Sequence, residues 1–499
     1  MSDWAPPLRV VVSGRDADLW LCANALNRAL GPTGVETIAI ELPTRLRASD
    51  ISASLPPLEA LHAKLEISEA SLLRATGGSF SLGQNIVAEG APAFFHAWGT
   101  YGAPVDGSEF FPCWLKARSQ GLRLPLHSFC LTAVAAQNGR MLLPDETTAA
   151  FGRTDYGYHL PALPYVGYLK SLAAARGVRI HETQKVHVER AREDGSIAAL
   201  IIDGSQRIEG ELFVDATGEE ALLIGRSLGV PRESWRQYFG VDRVLTARAP
   251  AFTSIPPFAE LRASHTGWTA LHPTRGATGV VHAYSQALTN DDAALRSATS
   301  LSSIRLTDPS FHSIVPGVCT RMWEANCVAL GRAACLLDPL HNVDLHVLQL
   351  GIVHLLSLFP VAGRFAAERT EYNRHMRSYY ERIRDFQCAL YALAPVAGAF
   401  WQQSRGRPIP QSLSHKIDTF RACGEIAPME DESFSDQSWQ ATLAGLGVIP
   451  ESWSPATDRI APHRVPEAIN RMLRLIKAKV LEQPTHDEYL ESVCSAVSP

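Results

Sequence analysis

The sequence predicts an α/β chain of the Rossmann-like, dinucleotide-binding type, and three observations carry that expectation. Residues 8 to 42 read strand, helix, strand, as the first βαβ unit of such a fold would. Residues 160 to 226 repeat the alternation, and CVALGRAACLLDPL at 327–340 is a third strand-to-helix turn. With 499 residues, 46% hydrophobic, the chain can bury a large core and is expected to form coupled domains.

Taken in order, Val10-Val11-Val12 is the first strand, the alanine-rich stretch from Trp20 to Leu30 its helix, and Thr37-Ile38-Ala39-Ile40 the second strand. A GxGxxG fingerprint between strand and helix would occupy Gly14, Asp16 and Leu19, and only Gly14 is a glycine. The second glycine lets the backbone touch a pyrophosphate and the third lets helix pack on strand. Aspartate and leucine at those places bring negative charge and bulk. Glu41 ends the second strand about where an acid would hold an adenosine ribose. LPYVGYLKSLAAARGV is an amphipathic helix, KVHVERA, AALIIDG and ELFVDATG are strands, and the last leads through Gly218 into a helix. From about 227 to 320 short strands and loops suggest a separate sheet, and 363 to 499 is almost all helical in pattern.

Net charge of −5 argues against a broad nucleic-acid footprint. The N-terminal MSDWAPPL has no basic segment followed by an apolar run, so no signal peptide is expected. The apolar helix from Val347 to Phe359 carries Gln349 and His354 and stops at Pro360, which suits a core rather than a bilayer. Nine cysteines without CxxC spacing read as reduced thiols of a cytoplasmic protein. No metal is expected, since His341 and His346 miss helical spacing by one and no HxxxH pair has a carboxylate cluster. HSFCL and GRSLG lack the nucleophile-elbow pattern of hydrolases. Trp401, Trp439, Trp453 and Tyr489 read as core or dimer contacts, and the arginines from Arg369 to Arg384 as a solvated helix face.

Together the βαβ start, the DATG turn and the GxAAxxxDPL turn resemble the FAD-binding module of flavin-dependent monooxygenases. FFHAWGTYGAPVDG at 94–107, FVDATGEEALLIG at 213–225, EYNRHMRSYYERIRDF at 371–386 and SWQATLAGLGVIPESW at 438–453 bring the chain closer to one branch. That branch is the flavin-dependent tryptophan halogenase family. The resemblance implies a flavoprotein-monooxygenase fold in which residues 1–360 form an FAD-binding-like module. A β-rich substrate region is inserted in that module at about 227–320, and 361–499 form a helical region packed on the core.

The resemblance also implies site residues, and many are substituted. The lysine that would accept hypohalous acid falls on Ser81, which forms no haloamine and has the bland alternative of a serine on a half-exposed strand. The glutamate that would act on the substrate falls on His341, which could serve as a base. The halide-binding threonine and glycine become Val343 and Asp344. A carboxylate ~4 Å from the anion would cost roughly 4 kcal/mol at an effective dielectric near 20, about three orders of magnitude in affinity. In the WxWxIP element, GWTALHP keeps Trp268 and Pro273 and replaces the rest with Ala270 and His272; the flavin-side strand reads Ile51 to Pro56 without its glycine-glutamate start. Cofactor positions are Gly14, Asp16, Leu19, Glu41, Asp215, Gly218, Gly331, Asp338 and Pro339; the surviving acids could equally be a strand-end acid and helix caps.

The expectation is a halogenation-deficient pseudoenzyme: a binding or partner subunit for an indole- or peptide-like ligand, or for an active homologue, as homodimer or heterodimer. The alternative is a working FADH2-dependent halogenase or monooxygenase on an indole-type substrate, supplied by a flavin reductase.

Overall fold

The computed structural model describes residues 9–145, 148, 151–360 and 366–495; the MSDWAPPL segment and the first residues of the region beginning at 361 lie outside them. The chain divides into two compact units that interleave along the sequence. The first comprises residues 1–76, 160–236 and 315–381, the second 77–159, 237–314 and 382–499.

The first unit is built on a six-stranded sheet in the order Trp323–Glu324, Cys327–Ala329, Leu212–Ala216, Arg9–Gly14, Glu36–Glu41, Arg179–Glu182. All neighbours are parallel except the Trp323–Glu324 edge. In a parallel sheet the carboxyl ends of the strands share one edge, where α/β folds place their ligands. Here that edge carries Gly14 opposite both Ala216 and Glu41, with Asp215 opposite Ala329. Val10, Val11 and Val12 are fully buried, as a strand covered on both faces requires.

The helix after the first strand runs Asp16–Leu30, four residues earlier than its apolar stretch suggests. Asp16 and Asp18 in its first turn favour the positive end of the helix dipole, and that extends the helix back to the strand. It packs beside Ala162–Ala175, and the buried Asn24 donates to the Leu169 carbonyl at 2.9 Å. After Leu212–Ala216 the expected helix is replaced by a short turn, Gly218–Glu220, and one wide turn over Leu222–Ser227. There the amides of Arg226 and Leu228 reach back five residues.

The second unit centres on a seven-stranded sheet in the order Thr307–Ser313, Arg243–Ala249, Thr278–Tyr284, Gly267–Pro273, Ala259–Ser264, Gly83–Ala88, Phe94–Ala97. Its pairs are antiparallel except Ala259–Ser264 with Gly83–Ala88. One face packs Leu245, Leu271, Val280 and Tyr284 against Ala294 and Ala298 of the helix Asp291–Ser302. Asn290 caps that helix by accepting the Ala293 amide at 2.9 Å. The C-terminal helices, among them Gln411–Cys423, Asp436–Gly445 and Arg464–Glu482, complete the unit. Among the described residues no helix is long and apolar enough to cross a membrane, and all nine cysteines are free thiols.

Candidate functional site

Twelve of the fifteen site residues that the resemblance implies lie in the first unit, at strand ends, in turns and in the first turns of helices that follow its parallel strands. Gly14 is required by the neighbouring strand: a Cβ there would fall 2.3 Å from the Ala216 carbonyl oxygen. Asp16 has φ at +57°, a left-handed conformation that aspartate tolerates better than most residues. Its Oδ1 accepts the Thr44 hydroxyl at 2.5 Å. Burial raises its pKa, with the Thr44 bond opposing. Leu19 is fully buried and closes the first helical turn on the Arg15 carbonyl at 3.2 Å.

The residue that ties this edge together is Asp18, which the sequence reading passed over. Its Oδ2 accepts the backbone N–H of Arg332 at 3.2 Å. Its carboxylate also stands against Gly331, where an added Cβ would lie 2.5 Å from Oδ2. Gly331 has φ +53°, so glycine is favoured there by backbone shape as well as by space. The surrounding protein pushes the Asp18 carboxyl up to about 7, while the Arg332 amide pulls the other way.

The cations of the edge are also matched internally. Arg15 and Arg45 share Glu220, at 3.0 and 2.7 Å. The Arg332 guanidinium meets Glu219 at 2.9 Å. Burial opposes its charge, but Asp344, Glu219 and Asp18 together outweigh burial and hold it protonated. Burial raises the Asp344 carboxyl, with Arg332 opposing. Asp344 opens the helix Asp344–Ser357, and the Val343 side chain is buried.

The remaining positions of this unit have local partners. Glu41 accepts Trp20 Nε1 at 3.3 Å and Lys170 Nζ at 2.5 Å. Asp215, fully buried, accepts four bonds: Thr217 N and Oγ1 at 3.0 and 2.6 Å, and the amides of Leu223 and Ile224 at 2.8 and 2.9 Å. It thus caps the wide turn. Gly218 has φ +78° in open space. Asp338 caps the turn after it by accepting the Leu340 amide at 2.9 Å, and Pro339 starts that turn. His341 and Asn342 follow with φ of +64° and +50°, two consecutive left-handed residues that are not glycine.

Ser81, Trp268 and Pro273 belong to the second unit. Ser81 is 3% exposed rather than half-exposed, because Ser79–Ser81 pairs with Tyr158 and its neighbours; its hydroxyl donates to the Gly83 carbonyl at 3.2 Å. Trp268 is fully buried and donates Nε1–H to Tyr391 Oη at 2.7 Å. The Pro273 carbonyl accepts Ser79 Oγ at 2.6 Å and lies 3.1 Å from His159 Nδ1. His159 and His272 meet edge to face at 5.3 Å. A second aromatic cluster gathers His96, Trp98, Phe386 and Phe434, with Phe386 stacked on Phe434 at 3.7 Å. Trp401 and Trp439 are core, whereas Arg384 is no solvated residue: it is buried on Asp385 at 2.8 Å and over Tyr238.

Among the described residues no group of three or more His, Cys, Asp or Glu side chains is arranged to hold a metal.

The α/β sheet with its ligand-type edge defines the FAD-binding class of fold, and comparison with known proteins narrows it. The sequence model of the tryptophan halogenase family matches residues 9–462, and the chain belongs to that family. The flavin-dependent halogenase Xcc4156 from Xanthomonas campestris is 31% identical over 99% of this chain and 100% of its own, with a TM-score of 0.92. The flavin-dependent halogenase BrvH from Brevundimonas sp. BAL3 is 29% identical over 98% and 99%, with a TM-score of 0.91. Tryptophan 6-halogenase ThaL from Streptomyces albogriseolus is 24% identical over 487 residues, 90% of this chain and 91% of that protein. Family membership implies FAD as the cofactor class and a flavin reductase as the usual partner.

Proposed function

We propose that this chain is a halogenase-family protein that does not halogenate. It serves as a cytoplasmic binding or partner subunit, for an indole- or peptide-like ligand or for an active homologue. One observation carries the reading: the Asp18 carboxylate takes the Arg332 amide and stands on Gly331, at the edge where a dinucleotide's phosphates would need those groups. The residues present do not fit FAD. A pyrophosphate would meet Asp16 and Asp18, and the arginines able to receive it are engaged by Glu219 and Glu220. Ser81 in place of the family's lysine, and Val343 with Asp344 in place of its halide pair, support the same conclusion. Removing a positioned acid or base costs ~10²–10⁴ in rate.

A second reading has one observation in its favour. Strained backbone gathers at working sites, and His341 with Asn342 forms such a pair. On that reading the chain is an FADH2-dependent halogenase or monooxygenase with His341 as base.

Titrating the purified chain with FAD and with FADH2 separates the two. Colourless protein and unchanged flavin fluorescence are expected. Stoichiometric yellow protein, or halide-dependent product from tryptophan or indole in the presence of a flavin reductase, would overturn the proposal.

A further inference from the structure

The helix Arg464–Glu482 of the second unit is strongly two-faced. One side buries Val465, Ile469, Met472, Ile476 and Val480 in the core. The opposite side departs from an ordinary solvated face in two independent ways. Leu481 and Leu475 are 64% and 51% exposed, and Ala478 between them is exposed too, so i, i+3 spacing makes one apolar stripe. One turn earlier, Arg471 and Arg474 are exposed and form no ion pair among the described residues.

Those two arginines line an open recess of about 350 Å³ between the helix and residues 104–106, which Asp106 and Glu467 also line, and the Arg464 bond, helped by the Arg471 charge, lowers the pKa of the Asp106 carboxyl. Arg464, at its rim, is already committed: its guanidinium grips Asp106 with two bonds, at 3.0 and 2.7 Å. The helix carries five Lys and Arg against Glu467 and Glu482, in a chain whose net charge is −5. The face is therefore a local cationic island, continuous with an apolar stripe.

We propose that this face docks an acidic amphipathic helix of a partner protein. The partner's apolar residues would cover Leu475, Ala478 and Leu481, while its carboxylates enter the recess and pair with Arg471 and Arg474. Helix-on-helix recognition reads side chains at i, i+3, i+4 and i+7, which is the spacing offered here. Arginine suits the polar half because its planar fork meets a carboxylate with two parallel bonds. A lipid surface fits less well, since only two large apolar side chains project and the rest of the apolar face is buried. The inference gives the partner-subunit reading a surface and rests on it only for the existence of a partner. Flavin titration and peptide titration fail separately.

The test uses the full chain and a fluorescein-labelled helical peptide with leucine at heptad a and d positions and glutamate elsewhere, read by fluorescence anisotropy. Saturable binding that weakens with added salt is expected. It should fall by about tenfold or more in Arg471→Glu/Arg474→Glu and by a similar factor in Leu475→Ser/Leu481→Ser, as at binding hot spots. A lysine-for-glutamate version of the peptide should bind the charge-reversed variant in preference to the wild type. All four positions are exposed, and thermal melting checks that each variant is folded. The proposal is overturned by absent binding or by variants that bind as the wild type does. It is equally overturned by preferential sedimentation with phosphatidylserine vesicles, or by self-association of the chain that the same substitutions abolish.

Discussion

Replacing His272 with isoleucine should remove one step of the protein's acid sensitivity. His272 lies on the strand Gly267–Pro273, is 3% exposed, and has no hydrogen-bond partner for Nδ1 among the described residues. Burial lowers its pKa from 6.5 to about 4. The unfolded chain therefore takes up a proton as pH falls through 6.5, while the folded chain resists until about 4. Stability from the neutral ring is complete above pH 6.5 and is lost as pH falls from there towards 4. At ~1.36 kcal/mol per pKa unit, the loss between about pH 7.5 and pH 4.5 is roughly 2–3 kcal/mol for this residue alone. Isoleucine fits a central strand, is similar in volume, and leaves no orphaned nitrogen. The assay is thermal unfolding of both proteins across that range. At roughly 2–4 °C per kcal/mol for a folding unit of about 200 residues, the wild type should lose some 5–10 °C more than His272→Ile. Parallel pH profiles would show that the ring is not held neutral, and the reasoning would fail.

Three further outcomes follow from the described geometry. Lys416 is 2% exposed, 2.5 Å from Glu432 and 4.2 Å from the centre of the Trp439 ring; Glu432→Ala should cost about 3–5 kcal/mol in urea unfolding. Lys416→Met should cost less, because the carboxylate it leaves behind is 16% exposed and can turn to water, whereas the ammonium left by Glu432→Ala is 2% exposed. Asp215→Asn turns an amide toward the Leu223 or Ile224 N–H and should destabilise by ~2–4 kcal/mol, read by the same unfolding curve. Asp16→Gly/Asp18→Ala removes two carboxylates from the edge where phosphates would lie. At ~4 Å and an effective dielectric near 20, one charge is worth up to roughly 4 kcal/mol, so flavin quenching should appear at concentrations that leave the wild type silent. A folded variant with unchanged fluorescence would count against Asp18 as the obstacle.

The sequence made the sheet legible because parallel strands buried on both faces leave continuous apolar runs, as Val10 to Val12 and Phe213-Val214 do. It also marked the positions that the family resemblance implies, because many of them lie in or beside turns whose glycines, acids and prolines are individually recognisable. What it could not supply was pairing at a distance. Asp18 and Arg332 are 314 residues apart, and Arg15 and Glu220 are 205 apart, so no local pattern links them. A signal was nonetheless present: Arg15, Asp16, Asp18 and Arg332 put opposite charges into turns otherwise made of small residues. Ser81 was misplaced on exposure for a related reason, as its strand is covered by residues around 157–159. Arg384 was missed because helical charge spacing does not reveal which face meets the core.

A flavoprotein whose phosphate turns are completed by a dissociable cofactor gains stability only as the ligand is supplied, by RT ln(1 + [L]/Kd). The Asp18 carboxyl is a tethered acceptor, present at the Gly331 turn at an effective concentration that no metabolite pool sets. The two turns it joins are therefore held together in any flavin regime. On the proposed reading, in which the chain holds no flavin, the amount of folded chain in a cell is uncoupled from riboflavin supply, and starving cells of riboflavin should deplete flavin-holding halogenases while leaving this protein's level unchanged.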